Sequence, residues 1–214
     1  MSAVAAILNQ NLATLRNSKS PQSIIFALFI LRMTNEENIR GKRLKALLVD
    51  FTSKDLDKKI AAVQAMKMHG NETVIEALVK ELSSTKHEEL KEEIIELLNN
   101  TKSSLVPAKI IACLENKKYA NCRQILLASI WNSGLDYREF LPQILTATLE
   151  GDIMDALECV TIVENFEGVP EDEELNEALV ILGNYLSEQK KESSPKIDLL
   201  IELGAMLKRM NDES

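Results

Sequence analysis

The sequence predicts an all-α chain, built as an α-solenoid of antiparallel helix pairs. Three observations carry that reading. An apolar i, i+3, i+4 face recurs along the chain: Ala62, Ala65 and Met66; Ile94, Leu97 and Leu98; Leu127, Ile130 and Trp131; Cys159, Ile162 and Val163, at steps of 32, 33 and 32 residues. This spacing sets three side chains on one stripe of a helix. Corners fall at Gly70, Thr101-Lys102, Gly134 and Gly168, 31 to 34 residues apart, which leaves room for two short helices. Aromatics make up only 4% of the chain, and the seven Gly and five Pro lie mostly at those corners, a composition that suits helices and not sheet. One such hairpin cannot bury its apolar face alone, so neighbouring hairpins must stack into a continuous core.

Taken in order, residues 2–17 read as an amphipathic capping helix, with Val4, Ile7, Leu8, Leu12 and Leu15 on one side. Residues 21–33 are apolar nearly all round, from Ile24 to Leu31, and predict a helix covered on more than one side. Its partner spans 36–50 with Leu44, Leu47 and Leu48 inward; Gly41 weakens it by about 1 kcal/mol relative to alanine. Repeats two to four occupy 53–84, 85–116 and 117–150, and a longer fifth repeat 151–190. In the second helices, Leu78-Val79 with Leu82 is followed by Ile110-Ile111 with Leu114, then by Leu145 with Leu149, where Thr146 interrupts the pattern. Residues 195–211 form a closing helix with Ile197, Leu200, Ile201 and Leu207 inward. The whole is one domain: a cap at 1–19, about five hairpins over 20–190 and a second cap at 194–214.

The helix ends agree. Thr85-Lys-His-Glu88 and Asp136-Tyr-Arg-Glu139 have capping-box spacing. Ser20-Pro21, Val169-Pro170 and Ser194-Pro195 place proline at a first helical position, where its missing amide costs nothing. Pro107 suits an early turn, whereas Pro142 predicts a kink or a late helix start. Glycines past helix ends predict left-handed caps.

The units Ala62-x-x-Ala65-Met66 with Gly70 and Leu127-x-x-Ile130-Trp131 with Gly134 resemble HEAT repeats in their short bacterial form, over roughly residues 20–190. Arg123 stands where the family usually carries a first-helix arginine; other units have lysine there or nothing. The resemblance implies a right-handed α-α superhelix, HEAT- or armadillo-like, whose second helices line a concave face used mostly to bind other proteins. On this chain that implication points to Arg40, Arg43, Lys45, Glu76, Lys80, Lys109, Gln143 and Glu177. Some members bind nucleic acid and a few are enzymes, so a DNA-glycosylase-like protein on the same scaffold is the rival reading.

Charge is distributed unevenly. Residues 1–70 carry 11 Lys or Arg against 5 Asp or Glu, and residues 71–214 carry 14 against 28, within a net charge of −8. Residues 139–189 hold 13 acidic residues and no Lys or Arg. The acidic patch Glu167, Glu171, Asp172, Glu173 and Glu174 suits a positive helix end and would also steer a basic partner. The basic cluster Arg40, Lys42, Arg43 and Lys45 reads as a solvated face or as a seat for an acidic group. A dipolar layout also permits head-to-tail self-association. An acidic C-terminal half opposes a duplex-length nucleic-acid footprint.

A search for chemistry nominates no catalytic residue, metal or cofactor. The two histidines, His69 and His87, have no cysteine pattern around them. Asp152-x-x-Asp155 and the 167–174 corner would attract a cation only weakly. Cys113, Cys122 and Cys159 are unclustered and read as reduced, buried thiols in a cytoplasmic protein. The most apolar run, Ile24–Leu31, spans eight residues, well short of the roughly 20 a membrane crossing needs. Trp131 fits the inward stripe, and Tyr137, next to a helix cap, is the aromatic expected at the surface for partner contact. The sequence therefore predicts a non-enzymatic scaffold that docks another protein, a basic one by charge.

Overall fold

The computed structural model describes residues 39–189 and 194–213, together with Arg32. The predicted helix at 2–17 and, apart from Arg32, that at 21–33 lie outside the described residues, as does the Ser20-Pro21 start. By packing, the chain divides into two units, Met1–Leu47 and Leu48–Ser214. In the first, residues 39–47 are helical, with Leu44 buried, Leu47 half-buried, and Arg40, Lys42, Arg43 and Lys45 exposed. In the second, helical backbone runs to 51, where Phe51 is buried, and no strand occurs among the described residues.

Helix α1 (Leu56–His69) is capped by Asp55, whose carboxylate accepts from the amides of Asp57 and Lys58. It ends at Gly70, which is extended (φ −71°) and not left-handed as expected. Glycine suits this position because a Cβ would press on the Met66 carbonyl. Among the described residues only Gly134 (φ 63°) and Gly168 (φ 103°) adopt the positive φ that favours glycine. Helix α2 (Ile75–Leu82) follows a 3-10 turn, Glu72–Val74. Then come α3 (Glu88–Asn100), α4 (Val106–Leu114), a 3-10 turn at Lys117–Cys122 and α5 (Arg123–Ser133). A 3-10 turn at Arg138–Phe140 leads into α6 (Leu141–Leu149). The last elements are α7 (Ile153–Glu164), α8 (Asp172–Glu188) and α9 (Pro195–Glu213).

Pro107 and Pro142 both sit in the first turn of their helices, so α6 has the late start expected of it. Pro195 opens α9, with Ser194 Oγ accepting from the Ile197 amide at 3.3 Å. Pro170 is different: it lies buried before the Glu171 cap, two residues ahead of the first residue of α8. The two predicted capping boxes are not formed. Thr85 Oγ1 accepts from the His87 amide, and α3 starts after His87; Asp136 accepts from the Arg138 amide in the 3-10 turn. The box that does form is Asp152 with Asp155, at the start of α7.

Packing alternates between two rows. Helix α1 packs on α3, α3 on α5, α5 on α7 and α7 on α9; α2 packs on α4, α4 on α6 and α6 on α8. Among the described elements of this unit the helices pack on their neighbours in the chain or in their row, and the 3-10 turn at Lys117–Cys122 reaches back to α2. The core lies between the rows. Ala62, Met66, Ile94, Leu97, Leu98, Leu127, Ile130, Cys159, Ile162 and Val163 are buried as predicted, whereas Ala65 and Trp131 are half-buried. In α6 the inward set is Ile144, Leu145 and Thr148, one residue off the Leu145–Leu149 reading. The connection between α5 and α6 is longer than its predecessors, so the series runs Leu78, Ile110, Ile144, Ala178 at steps of 32, 34 and 34. In α9, Leu200, Leu203 and Leu207 are buried; Ile201 is 55% exposed and points away from α7 and α8, on which α9 packs among the described residues.

Long side chains tie separate helix pairs together by capping each other's carbonyls, the Asn121 bond reaching past the intervening pair. Lys102 Nζ donates to Ser133 O at 2.7 Å, Asn121 Nδ2 to Ser83 O at 2.8 Å and Arg138 Nη1 to Val169 O at 3.4 Å. In the row of first helices, Lys67 pairs with Glu93 and Glu96, each at 2.6 Å, and Trp131 Nε1 donates to Glu158 at 2.8 Å. At the end of the row Lys196 Nζ donates to Leu149 O at 2.9 Å and Gly151 O at 2.7 Å, and lies 5.3 Å from the Tyr185 ring centroid. Lys196→Met is therefore expected to cost about 1.5 kcal/mol in denaturant unfolding. Amide exchange should quicken in α9 and leave α1 unchanged; equal loosening of α1 would contradict neighbour-only coupling.

Candidate functional site

Five of the predicted binding residues fall on the row of second helices: Glu76 and Lys80 on α2, Lys109 on α4, Gln143 on α6 and Glu177 on α8. Arg40, Arg43 and Lys45 belong to the other unit, where all three are exposed. The structure brings two of the five together. Gln143 and Glu177 line a groove of about 280 Å³ formed by α4, α6 and α8. Glu76 and Lys109 act instead on Cys113 of α4, and Lys80 stays at the exposed surface of α2.

Helix periodicity builds the groove. Gln143, Thr146, Ala147 and Glu150 follow i, i+3, i+4, i+7 spacing, so α6 turns one stripe to the groove and its Ile144–Leu145–Thr148 stripe to the core. Thr146 interrupts the apolar pattern because it faces out; its hydroxyl donates to Pro142 O at 2.8 Å. Leu114, Pro142, Ala147 and Ile181 supply apolar lining, and Glu115 and Glu150 extend the carboxylate rim. Glu150 is shared with Arg123, whose Nη2 lies 3.3 Å away. Gln143 Oε1 is buried and accepts no hydrogen bond within the chain. The polar atoms the groove offers are thus mainly acceptors, which suit cations and N–H donors.

The acidic patch has a different setting. Glu171 caps α8, and Asp172, Glu173 and Glu174 form its first turn, where negative charge complements the helix dipole. Glu167, Glu171, Asp172 and Glu173 are exposed, and Glu174 is half-buried with Oε2 unpartnered. Their counter-charge is Arg138, one residue before the acidic run. It holds Asp136 by two bonds, Nε to Oδ1 at 2.9 Å and Nη2 to Oδ2 at 2.7 Å, and feels Glu171 and Glu167. The Arg138 hydrogen bonds hold the Asp136 carboxyl below its ordinary range. Beside this clamp is a corner pocket of about 170 Å³ lined by Trp131, Tyr137, Phe166 and Glu167. Tyr137, expected at the surface, is 1% exposed; the ring closes the α5–α6 corner from inside.

All three cysteines are buried and unbridged. Burial pushes the Cys113 and Cys159 thiols up to about 11, and raises Cys122 also. Asp152 and Asp155, read as a weak cation site, spend their carboxylates on each other's backbone amides. Among the described residues no group of three or more His, Cys, Asp or Glu gathers as a metal set, and no helix is long and apolar enough to cross a membrane. Compared with models of protein families, with curated proteins and with solved structures, the chain matches none.

Proposed function

We propose that this chain is a HEAT-like docking scaffold: a right-handed solenoid of antiparallel helix pairs that holds another protein against its second helices and catalyses no reaction. The observation that carries the reading is the groove on α4, α6 and α8, with carboxylates around an apolar floor. Packing of the described helices along two rows and the repeating first-helix stripe support the repeat architecture. A cytoplasmic location, in a reducing compartment, accords with three unbridged thiols.

The test is positional. A photo-crosslinking residue at Thr146, exposed on α6, should trap a partner in the native cell, and the same residue at Glu92, exposed on α3 in the other row, should not. Adducts from Glu92 alone, or equally from both, would remove the reading. The nucleic-acid alternative makes the opposite demand on charge, since a phosphate backbone needs a basic footprint. Titrating random duplex DNA across salt concentrations is expected to show no steep salt-dependent binding; a steep slope would favour a nucleic-acid-binding protein instead.

A further inference from the structure

We propose that the α4–α6–α8 groove seats a cationic side chain, arginine or lysine, carried on a segment of a partner protein, with an apolar neighbour of that residue against the groove floor. The inference rests on the docking reading and names the chemistry of the partner. Within this unit the fold pairs some of its acidic groups and leaves many exposed ones unpaired. Lys67 holds Glu93 and Glu96, Lys59 holds Glu81, and Arg123 reaches both Glu150 and Asp155. At the groove Arg123 holds Glu150, while among the described residues Glu115 and Glu177 have no intrachain ion pair, and Oε1 of the half-buried Gln143 is a buried acceptor without a donor. A buried acceptor left unmade is costly, and a donor brought by a partner removes that cost. Unpaired carboxylates around Leu114, Pro142 and Ile181 favour a cation whose stem is apolar, which describes a lysine or arginine side chain. The volume, about 280 Å³, lies just below the range of roughly 300–1,000 Å³ typical of small-molecule pockets, and so suits one or two side chains. A phosphate would meet only like charge there.

The experiment uses the full chain and a fluorescent nonapeptide of alternating leucine and arginine, beside its citrulline counterpart, which keeps the shape and removes the charge. The arginine peptide should bind at low salt and shift the Gln143 side-chain amide and Ile181 methyl signals in NMR; the citrulline peptide should bind at least tenfold more weakly. Glu115→Gln with Glu177→Gln should weaken the arginine peptide at least tenfold. Gln143→Met should weaken it severalfold while leaving the thermal midpoint equal or higher, an outcome that lost folding cannot mimic. Equal groove binding of both peptides would overturn the cation inference and leave the docking reading standing. If neither peptide moves the α4, α6 or α8 signals, or if the arginine peptide ignores the double substitution, the groove is not such a seat. If Thr146 crosslinking also fails, the docking reading goes with it.

Discussion

Tyr137→Ala is expected to destabilise the unit by about 3–5 kcal/mol, the usual cost of removing a buried aromatic ring. Tyr137 is 1% exposed and meets Phe140 edge-on, with ring centroids 6.5 Å apart. It stands where α5 turns into α6, so the cavity left behind opens the corner that Arg138 clamps to the next hairpin. Tyr137→Phe separates the ring from the hydroxyl. The phenol bonds to Ser133, whose own hydroxyl donates to Ile130 O at 3.0 Å. Losing that one bond should cost about 0.5–1.5 kcal/mol. Burial pushes the phenol well above its ordinary value, and the Ser133 bond opposes the shift. Because the folded value is raised, the neutral phenol's contribution is complete below the unfolded value of about 10 and is lost as pH rises beyond it. Urea unfolding at pH 8 and pH 11 should therefore show the wild type losing stability and Tyr137→Phe losing less. A cost under about 1 kcal/mol for the alanine variant would mean that the ring is not part of the packed corner.

The helices and their order were legible because a core-facing helix must repeat its apolar residues every three or four positions. Ile94, Leu97 and Leu98 could hardly face elsewhere. What escaped was phase. The α5–α6 connection lengthened the step, and Leu145–Leu149 looked as good as Ile144–Leu145–Thr148 because a buried threonine can satisfy itself: Thr148 Oγ1 donates to Ile144 O at 2.9 Å. A signal for the phase was present. Asn71, Ser103 and Asp136 each accept an amide two residues on, at 3.1, 3.4 and 3.1 Å, and each opens the turn into a second helix. Those positions, 32 and 33 residues apart, mark the unit more directly than the glycines do. Tyr137 was misplaced for the same reason, since it follows Asp136 in a turn that folds inward. Ile201 shows the same effect: α9 buries the sides that α7 and α8 cover, and i, i+3, i+4 spacing fits more than one such side.

The groove was half legible. Placing Gln143 and Glu177 on second helices follows from repeat geometry alone. Their meeting with Glu115 and Glu150 depends on how α4, α6 and α8 stack, which no local pattern encodes. The acidic run misled in part, because its densest stretch, Glu171 to Glu174, serves the α8 terminus and the Arg138 clamp, while the groove uses acidic residues scattered 27 to 35 positions apart.

Gly151→Ala should cost about 2–4 kcal/mol although Gly151 has no positive φ, because its added Cβ would overlap the Asp155 carboxylate. Asp155 is 5% exposed, and Oδ2 accepts the Asp152 amide at 3.2 Å and lies 3.7 Å from Arg123 Nη1. Burial raises its carboxyl above the usual range, with the Asp152 amide and the Arg123 guanidinium opposing. A raised folded value means that this group's contribution is complete below the unfolded value of about 3.9 and declines as pH rises through the folded one. Asp155→Asn keeps an acceptor and removes the charge, so it should stay within about 1 kcal/mol of wild type at pH 7 and flatten that acidic limb. Asp155→Ala loses the cap bond and leaves Arg123 with Glu150 alone, at about 1–3 kcal/mol. The decisive measurement is the pair. If Gly151 matters because it admits the carboxylate, then Gly151→Ala should cost less once Asp155 is alanine, although the residue 155 Cβ would still stand 2.7 Å from the added one, and the two single costs should exceed the double by more than about 1 kcal/mol. Additive costs would place the effect of Gly151 in the backbone of the α6–α7 corner, and the capping box would then not be the reason that glycine stands there.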